Sequence, residues 1–259
     1  MIFLRRKEIV LADASLLSRR EFLERSAKLA ALTQAGYLPN ALGNYNMGAF
    51  WRRPPSGAVL VQSSTTNCSY SYSLQLPISK PTLAGSLIVV CLGCNSAPPF
   101  AITDDKSQSY SLATSTGING GYNYIYYVPN SVAGVTMITA SLDFSVTALV
   151  FMEFSAIVGA SPLDVAQSNA NGYAVYNPNP FTSNTVITSQ PKDLLIGTAS
   201  YWYQALDPTW TIVQNVTTNY NLICGYQNVT STGAYACTGT GYAGAATYVT
   251  ASIAAFKCV

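Results

Sequence analysis

Histidine is absent from the 259-residue chain. That removes the commonest general base, the Ser–His and Cys–His nucleophile pairs, and every metal site that uses imidazole. Charge is nearly as scarce: 9% of residues are Asp, Glu, Lys or Arg, against about 25% in an ordinary soluble domain. The lack of Glu and Lys excludes a coiled coil. A formal net charge of +2 leaves little to neutralise phosphates, so no nucleic-acid partner is expected. Disorder is excluded too, because disordered chains are charged and poor in aromatics, whereas 12% of this one is aromatic and 49% hydrophobic. Neutral polar residues take the place of charge: 27 Ser, 24 Thr and 17 Asn, joined by 18 Tyr.

The few charges are unevenly placed. Residues 1–53 hold nine of the thirteen basic groups and four of the eleven acids. From residue 54 onward the only glutamate is Glu153 and only four lysines occur, and a stretch so poor in Glu and Lys is not expected to form exposed helices. The chain therefore divides into an N-terminal segment, 1–54, and a body, 55–259. Residues 3–12 and 15–35 are rich in Leu, Ala, Arg and Glu and free of Pro and Gly, which predicts helix; Gly36, Pro39 and Gly43 end the pattern. The apolar stretch 27–41 is interrupted by Lys28 and Gln34 and is too short and polar to span a bilayer, which takes about 20 apolar residues. Within the segment stands Ser18-Arg19-Arg20-Glu21-Phe22-Leu23. This run resembles the twin-arginine export signal of bacteria, with Glu24 where that signal usually has Lys. The resemblance implies that Arg19, Arg20, Phe22 and Leu23 are read by an export machinery, as an address and not an anchor, and that the body works outside the cytosol, secreted or periplasmic. A helix that packs on the body, or a tail for a partner, is the structural alternative.

The body predicts an all-β fold. Short runs of Val, Ile, Thr, Tyr and Phe recur at intervals of about 8–12 residues between Gly, Pro, Asn and Ser. Thirteen candidate strands result: 58–63, 70–76, 85–93, 108–114, 122–128, 134–142, 146–156, 182–188, 193–200, 209–216, 219–227, 234–240 and 246–256. Ser86–Cys91 and Leu194–Ile196 are continuous apolar runs, as suits strands covered on both faces. So many strands exceed one flat sheet, and two packed antiparallel sheets are the expected solution. The order Gly85-Ser-Leu-Ile-Val-Val90, Ile102-Thr-Asp104, Val150–Ser155, Ser161-Pro-Leu-Asp164 and Ala251–Phe256 is similar to that of secreted bacterial and phage-borne jelly-roll modules of the lectin-like, concanavalin-like sandwich type. That resemblance implies fold and not function.

Six cysteines, at 68, 91, 94, 224, 237 and 258, suggest disulfides in an exported protein. Cys224 and Cys237 flank a turn-rich stretch, Asn228–Gly233, and folding it as a symmetric hairpin would pair them. Cys68 with Cys258 is a second pairing, between first and last strands. Cys91 and Cys94 have redox-motif spacing, but no helix follows and a strand points them to opposite faces, so burial as small core residues is the expectation.

Among the acids, Glu153 interrupts an apolar strand, and with Asp143 it is the one candidate for hydrolase or lyase chemistry; a structural role is the alternative. Asp104 and Asp105 read as a polar turn, or as oxygen ligands for Ca2+. No other metal or cofactor is implied. Aromatics carry the leading expectation. Tyr201-Trp202-Tyr203 precedes Asp207, and Tyr124 and Tyr126 follow Gly120-Gly121; exposed rings beside amides and carboxylates suit sugars. These residues point to a non-catalytic module that binds a glycan or cell-surface polymer. Trp210 is expected in the core. A self-assembling coat or filament subunit is a further alternative.

Overall fold

Val, Ile, Tyr and Thr favour extended backbone, and the regular elements of the body among the described residues are all strands. The computed structural model describes residues 57–94, 100–118, 121–174, 179–200, 204–216, 222–241 and 247–259, all within the unit Pro54–Val259. The helix expected over 1–54, the arginine motif and Tyr201–Tyr203 lie outside them. No helix occurs among the described residues, so none is long and apolar enough to cross a membrane. The strands are β1 (Val59–Pro77), β2 (Leu87–Cys94), β3 (Phe100–Asp104), β4 (Ser111–Ile118), β5 (Gly121–Val128), β6 (Met137–Ser155), β7 (Leu163–Ala174) and β8 (Asn179–Thr182). They continue with β9 (Val186–Ile187), β10 (Asp193–Ser200), β11 (Gln204–Leu206), β12 (Thr211–Val216), β13 (Leu222–Val229), β14 (Ala234–Tyr235), β15 (Thr238–Gly241) and β16 (Thr247–Lys257).

Two main sheets form, and every described ladder is antiparallel. The first runs β1-β6-β2-β5-β4, with β3 also on β6; the second runs β12-β13-β10-β16-β7. Leu87, Val89 and Cys91 of β2 and Met152 and Phe154 of β6 pack against Leu194, Leu222 and Phe256 of the second sheet. This is a sandwich, as the sequence predicts.

Each sheet is covered on its outer face as well. β1 and β6 pair along 19 residues each, with register shifts between Asn67 and Ser73. Their outer halves, with β3, place Leu74, Leu76, Ile138 and Ile102 over Ile88, Val90 and Leu92 of β2. The second sheet is covered by two small sheets, β11-β15-β8 and β14-β9, which set Phe181, Val186, Leu206 and Trp210 on Leu195, Ile253 and Ala255. Double covering explains why all eight residues of β2 and all eight of β10 are buried. Burying each large aliphatic or aromatic side chain contributes about 1.5–3 kcal/mol.

Three departures from the sequence expectation have physical causes. The runs 58–63 and 70–76 are one strand, as are 134–142 and 146–156, because the chain passes the intervening polar residues through bulges instead of turns. β3, β7 and β11 match none of the expected runs: β3 and β11 are only five and three residues long, and β7 is a polar edge strand, Leu163-Asp-Val-Ala-Gln-Ser-Asn, without a continuous apolar signal. The run 234–240 is split between β14 and β15, which belong to different small sheets.

One buried polar seam crosses the sandwich. Asn123 of β5 is fully buried. Its Nδ2 donates to Thr250 O of β16 at 2.8 Å, and Ser252 Oγ donates to its Oδ1. Thr250 Oγ1 in turn bonds Ser200 Oγ of β10 at 2.6 Å. Every member is satisfied, as burial requires.

Candidate functional site

Tyr122, Tyr124 and Tyr126 recur at the strand period of two and form a stacked ladder on one face of β5. Their ring centroids are 6.5 and 6.3 Å apart, with interplanar angles of 13° and 27°. That face is turned into the core beneath the bent halves of β1 and β6. Tyr124 is 2% exposed, and burial pushes its hydroxyl far above the usual tyrosine value. Tyr126 is half-buried, its hydroxyl pushed up to about 12 by burial and then by the neighbouring Cys94. Tyr124 is therefore a core residue and not the exposed platform expected of it, and Tyr126 is a wall residue beside it. Tyr127, on the other face, meets Phe256 edge-on at 5.4 Å in the inter-sheet core.

Asp207 sits in the turn between β11 and β12. Its carboxylate accepts from Thr238 Oγ1, and its N–H donates to Thr238 O at 3.0 Å. The same turn seats Trp210, which is 6% exposed and in the core as expected. A Cβ on Gly197 would come within 2.7 Å of the Trp210 ring, so the indole occupies the space that a side chain there would fill. Asp207 thus lies in the cover of the second sheet, while Tyr124 and Tyr126 lie under the cover of the first. Both sheets stand between them, so these residues do not form one site. Trp202 and its two tyrosines are outside the described residues.

Glu153 is fully buried, and its two oxygens accept three hydrogen bonds. Leu83 N–H and Ser86 Oγ donate to Oε1, each at 2.7 Å, and Gln62 Nε2 donates to Oε2 at 2.7 Å. Gln62 also donates to Lys80 O at 2.8 Å. The carboxylate thereby ties the β1–β2 connection to two strands of the first sheet. With three fixed donors it is a structural anchor in this geometry, not an acid facing a cleft. The side chain of Asp143 is outside the described residues.

Asp104 and Asp105 are likewise engaged by the chain. Asp104 accepts from the N–H groups of Lys106 and Gln108, from Gln108 Nε2 and from Tyr110 OH, at 2.8–3.1 Å. Asp105 accepts from Thr136 N–H and Oγ1. These donors take the lone pairs that a Ca2+ ion would need, and among the described residues no group of three or more acids or cysteines is placed to hold a metal.

Asp193 is different. It is fully buried at the start of β10, and no donor of the chain reaches either oxygen. Its neighbours are the Asp164 carboxyl of β7 and, more distantly, the Lys257 ammonium of β16. Asp164 accepts from Ser189 N–H at 2.6 Å and stands 4.0 Å from Lys257 Nζ. Burial, then the Asp164 charge, pushes the Asp193 carboxyl up to about 6. Two carboxyls in contact are stable when one keeps its proton, and that proton supplies the donor Asp193 otherwise lacks.

The thiols also depart from expectation. Cys224 faces the inter-sheet core, whereas Cys237 lies in the outer core beyond the second sheet. The chain leaves the sheet after β13, so the expected hairpin does not form and the pair is unbonded. Cys68 and Cys258 are not brought together either. Cys68 follows Asn67, which pairs with Ala148, while Cys258 bridges Ile157, about 30 Å further along β6 at strand rise. Cys91 and Cys94 point into different cores and are both buried, as expected.

One residue was missed. Tyr72 of β1 is 72% exposed. The sequence puts it on a face with Leu74 and Leu76, which are buried; Tyr72 lies beyond the rim of that core. No protein-family model matches the chain, and no curated protein or solved structure matches it.

Proposed function

We propose that the chain is a secreted, non-catalytic module of the jelly-roll, concanavalin-like kind, exported by the twin-arginine route through Arg19, Arg20, Phe22 and Leu23. Its work is contact with a carbohydrate or cell-surface polymer. The observation that carries this reading is the contrast between the acids and the surface. The carboxylates of Asp104, Asp105, Glu153, Asp164 and Asp207 are all taken up by bonds within the chain. Strand β1, in contrast, carries neutral exposed groups along its length, Ser63, Thr65, Asn67 and Ser73, and the exposed ring of Tyr72. Hydroxyls and amides hold sugar hydroxyls, and an aromatic face stacks on the sugar ring. Trp202 would add a second ring.

The test is a glycan array and a pull-down on insoluble polysaccharides, with Tyr72→Ala and Trp202→Ala beside the wild type. The expected result is retention by at least one neutral polysaccharide, about ten-fold weaker for Tyr72→Ala, with unchanged stability because the ring is exposed. No binding anywhere, or binding indifferent to both substitutions, counts against the reading. A second reading, self-assembly, draws on the length of the β1 edge, which pairs only with β6 among the described strands, and on exposed Val59 and Val61. Ordered fibres or particles of purified protein under the electron microscope would favour it.

A further inference from the structure

The two central thiols of the sandwich face each other across the sheets. Cys91 lies in β2 of the first sheet and Cys224 in β13 of the second. Both are fully buried in the same inter-sheet core, where the Cys224 thiol is a close neighbour of the Cys91 thiol. An independent contact fixes how the strands face. A Cβ built on Gly93 would lie 3.3 Å from the Leu222 Cβ. Moving two residues along each strand, in opposite chain directions, leads from Gly93 to Cys91 and from Leu222 to Cys224. A disulfide needs Cβ atoms about 3.8 Å apart, and the sheets already approach that closely one step away. Cys237, the third buried thiol nearby, is on the far side of β10, where its Sγ contacts Thr198 O at 3.9 Å.

We propose that Cys91 and Cys224 are a disulfide site that staples the two sheets when the chain folds in the presence of a disulfide oxidant such as oxidised glutathione. One cysteine thiolate attacks the glutathione disulfide, forming a mixed disulfide and releasing one glutathione thiolate. The second cysteine thiolate then attacks the protein sulfur of that mixed disulfide and releases the other. The two cysteines lose two protons and two electrons, and one glutathione disulfide becomes two thiols. The contact with Cys224 and burial hold the Cys91 thiol protonated in the folded state, and the closed core excludes glutathione. The exchange therefore belongs to the stage when the sheets are still apart. The bond would close a loop of about 130 residues, in the range where cross-linking constrains the unfolded chain most.

The experiment uses the full chain, reduced and unfolded in denaturant, then refolded with a reduced and oxidised glutathione mixture. Peptide mapping without reductant should find Cys91 joined to Cys224 with the loss of two hydrogens. The oxidised protein should melt about 10 °C or more above its reduced form. Cys237→Ala should keep both the link and the shift, and Cys91→Ala should abolish both. The proposal is overturned if Cys91 and Cys224 remain open to alkylation after unfolding of the refolded product, or if the map joins Cys224 to Cys237 instead. Equally fast linkage in folded, reduced protein would overturn the order of events. None of these readouts depends on whether the chain binds a polysaccharide.

Discussion

The two outer covers of the sandwich solve one problem in different ways. Over the first sheet the cover is continuous with what it covers: β1 and β6 simply carry on past a bulge, and one ladder spans both levels. Over the second sheet the cover is a patchwork of two- to four-residue strands. Side-chain pins hold it, among them Trp210 on Gly197, Asp207 with Thr238, and the Cys237 N–H donated to Ser183 Oγ at 2.9 Å. A continuous ladder shares its hydrogen bonds over many residues, so it tolerates the loss of any one contact. A patchwork concentrates its stability in a few large side chains, and it should open locally at lower cost than the sandwich as a whole.

Breaking the patchwork at its largest pin gives the largest expected effect. Trp210→Ala should cost about 3–5 kcal/mol. Hydrogen exchange should show amide protection lost in β8, β11, β14 and β15 while β2 and β6 keep theirs; equal loss in both sheets would mean that the covers are not separate units. Removing the anchor on the other side should cost less. Glu153→Ala leaves three donors without their acceptor, and about 3 kcal/mol is expected, with Glu153→Gln near half of that, both read by urea denaturation. An unchanged midpoint would show that the β1–β2 connection is held by its own turns.

The smallest effect sharpens the contrast at the far end of the second sheet. The fold raises the Asp193 carboxyl to about 6, above the usual aspartate value near 4. The folded state therefore favours the protonated form. Its contribution to stability is fully present below about pH 4 and is lost as pH rises through 6. Asp193→Asn should flatten the melting temperature between pH 4 and 7 relative to wild type, most visibly in the pH 5–6 interval. A wild-type-minus-variant difference that does not change with pH would show that the carboxyl is not protonated in the fold.

Much of this architecture is legible in residue order. The uninterrupted apolar runs of β2 and β10 announce double covering, and the structure supplies it. The single tryptophan after Asp207-Pro208 reads as core and is. What was illegible depends on where a strand stops needing a turn. Ser141–Val146 contains no Gly or Pro, yet its polar residues resemble a break, so the bend of β6 is invisible until β1 is paired to it. That bend is what buries Tyr124: the sequence shows the cluster of tyrosines after Gly120-Gly121, but nothing local says that a distant half-strand lies over it. The same limit misplaced Cys237, since leaving a sheet after one strand and returning as its cover has no sequence mark. Tyr72 was overlooked because alternation assigns a face without saying how far the core extends along the strand.

The hydrogen-bonded line through Asn123, Thr250, Ser252 and Ser200 has a further consequence. Aliphatic layers slide over one another at little cost, because any methyl group serves as well as the next. An amide that finds both of its partners at only one relative position works as a detent: shifting the layers by one residue pair would strand it in a dry interior. The line therefore contributes less to how tightly the halves adhere than to which single alignment they adopt.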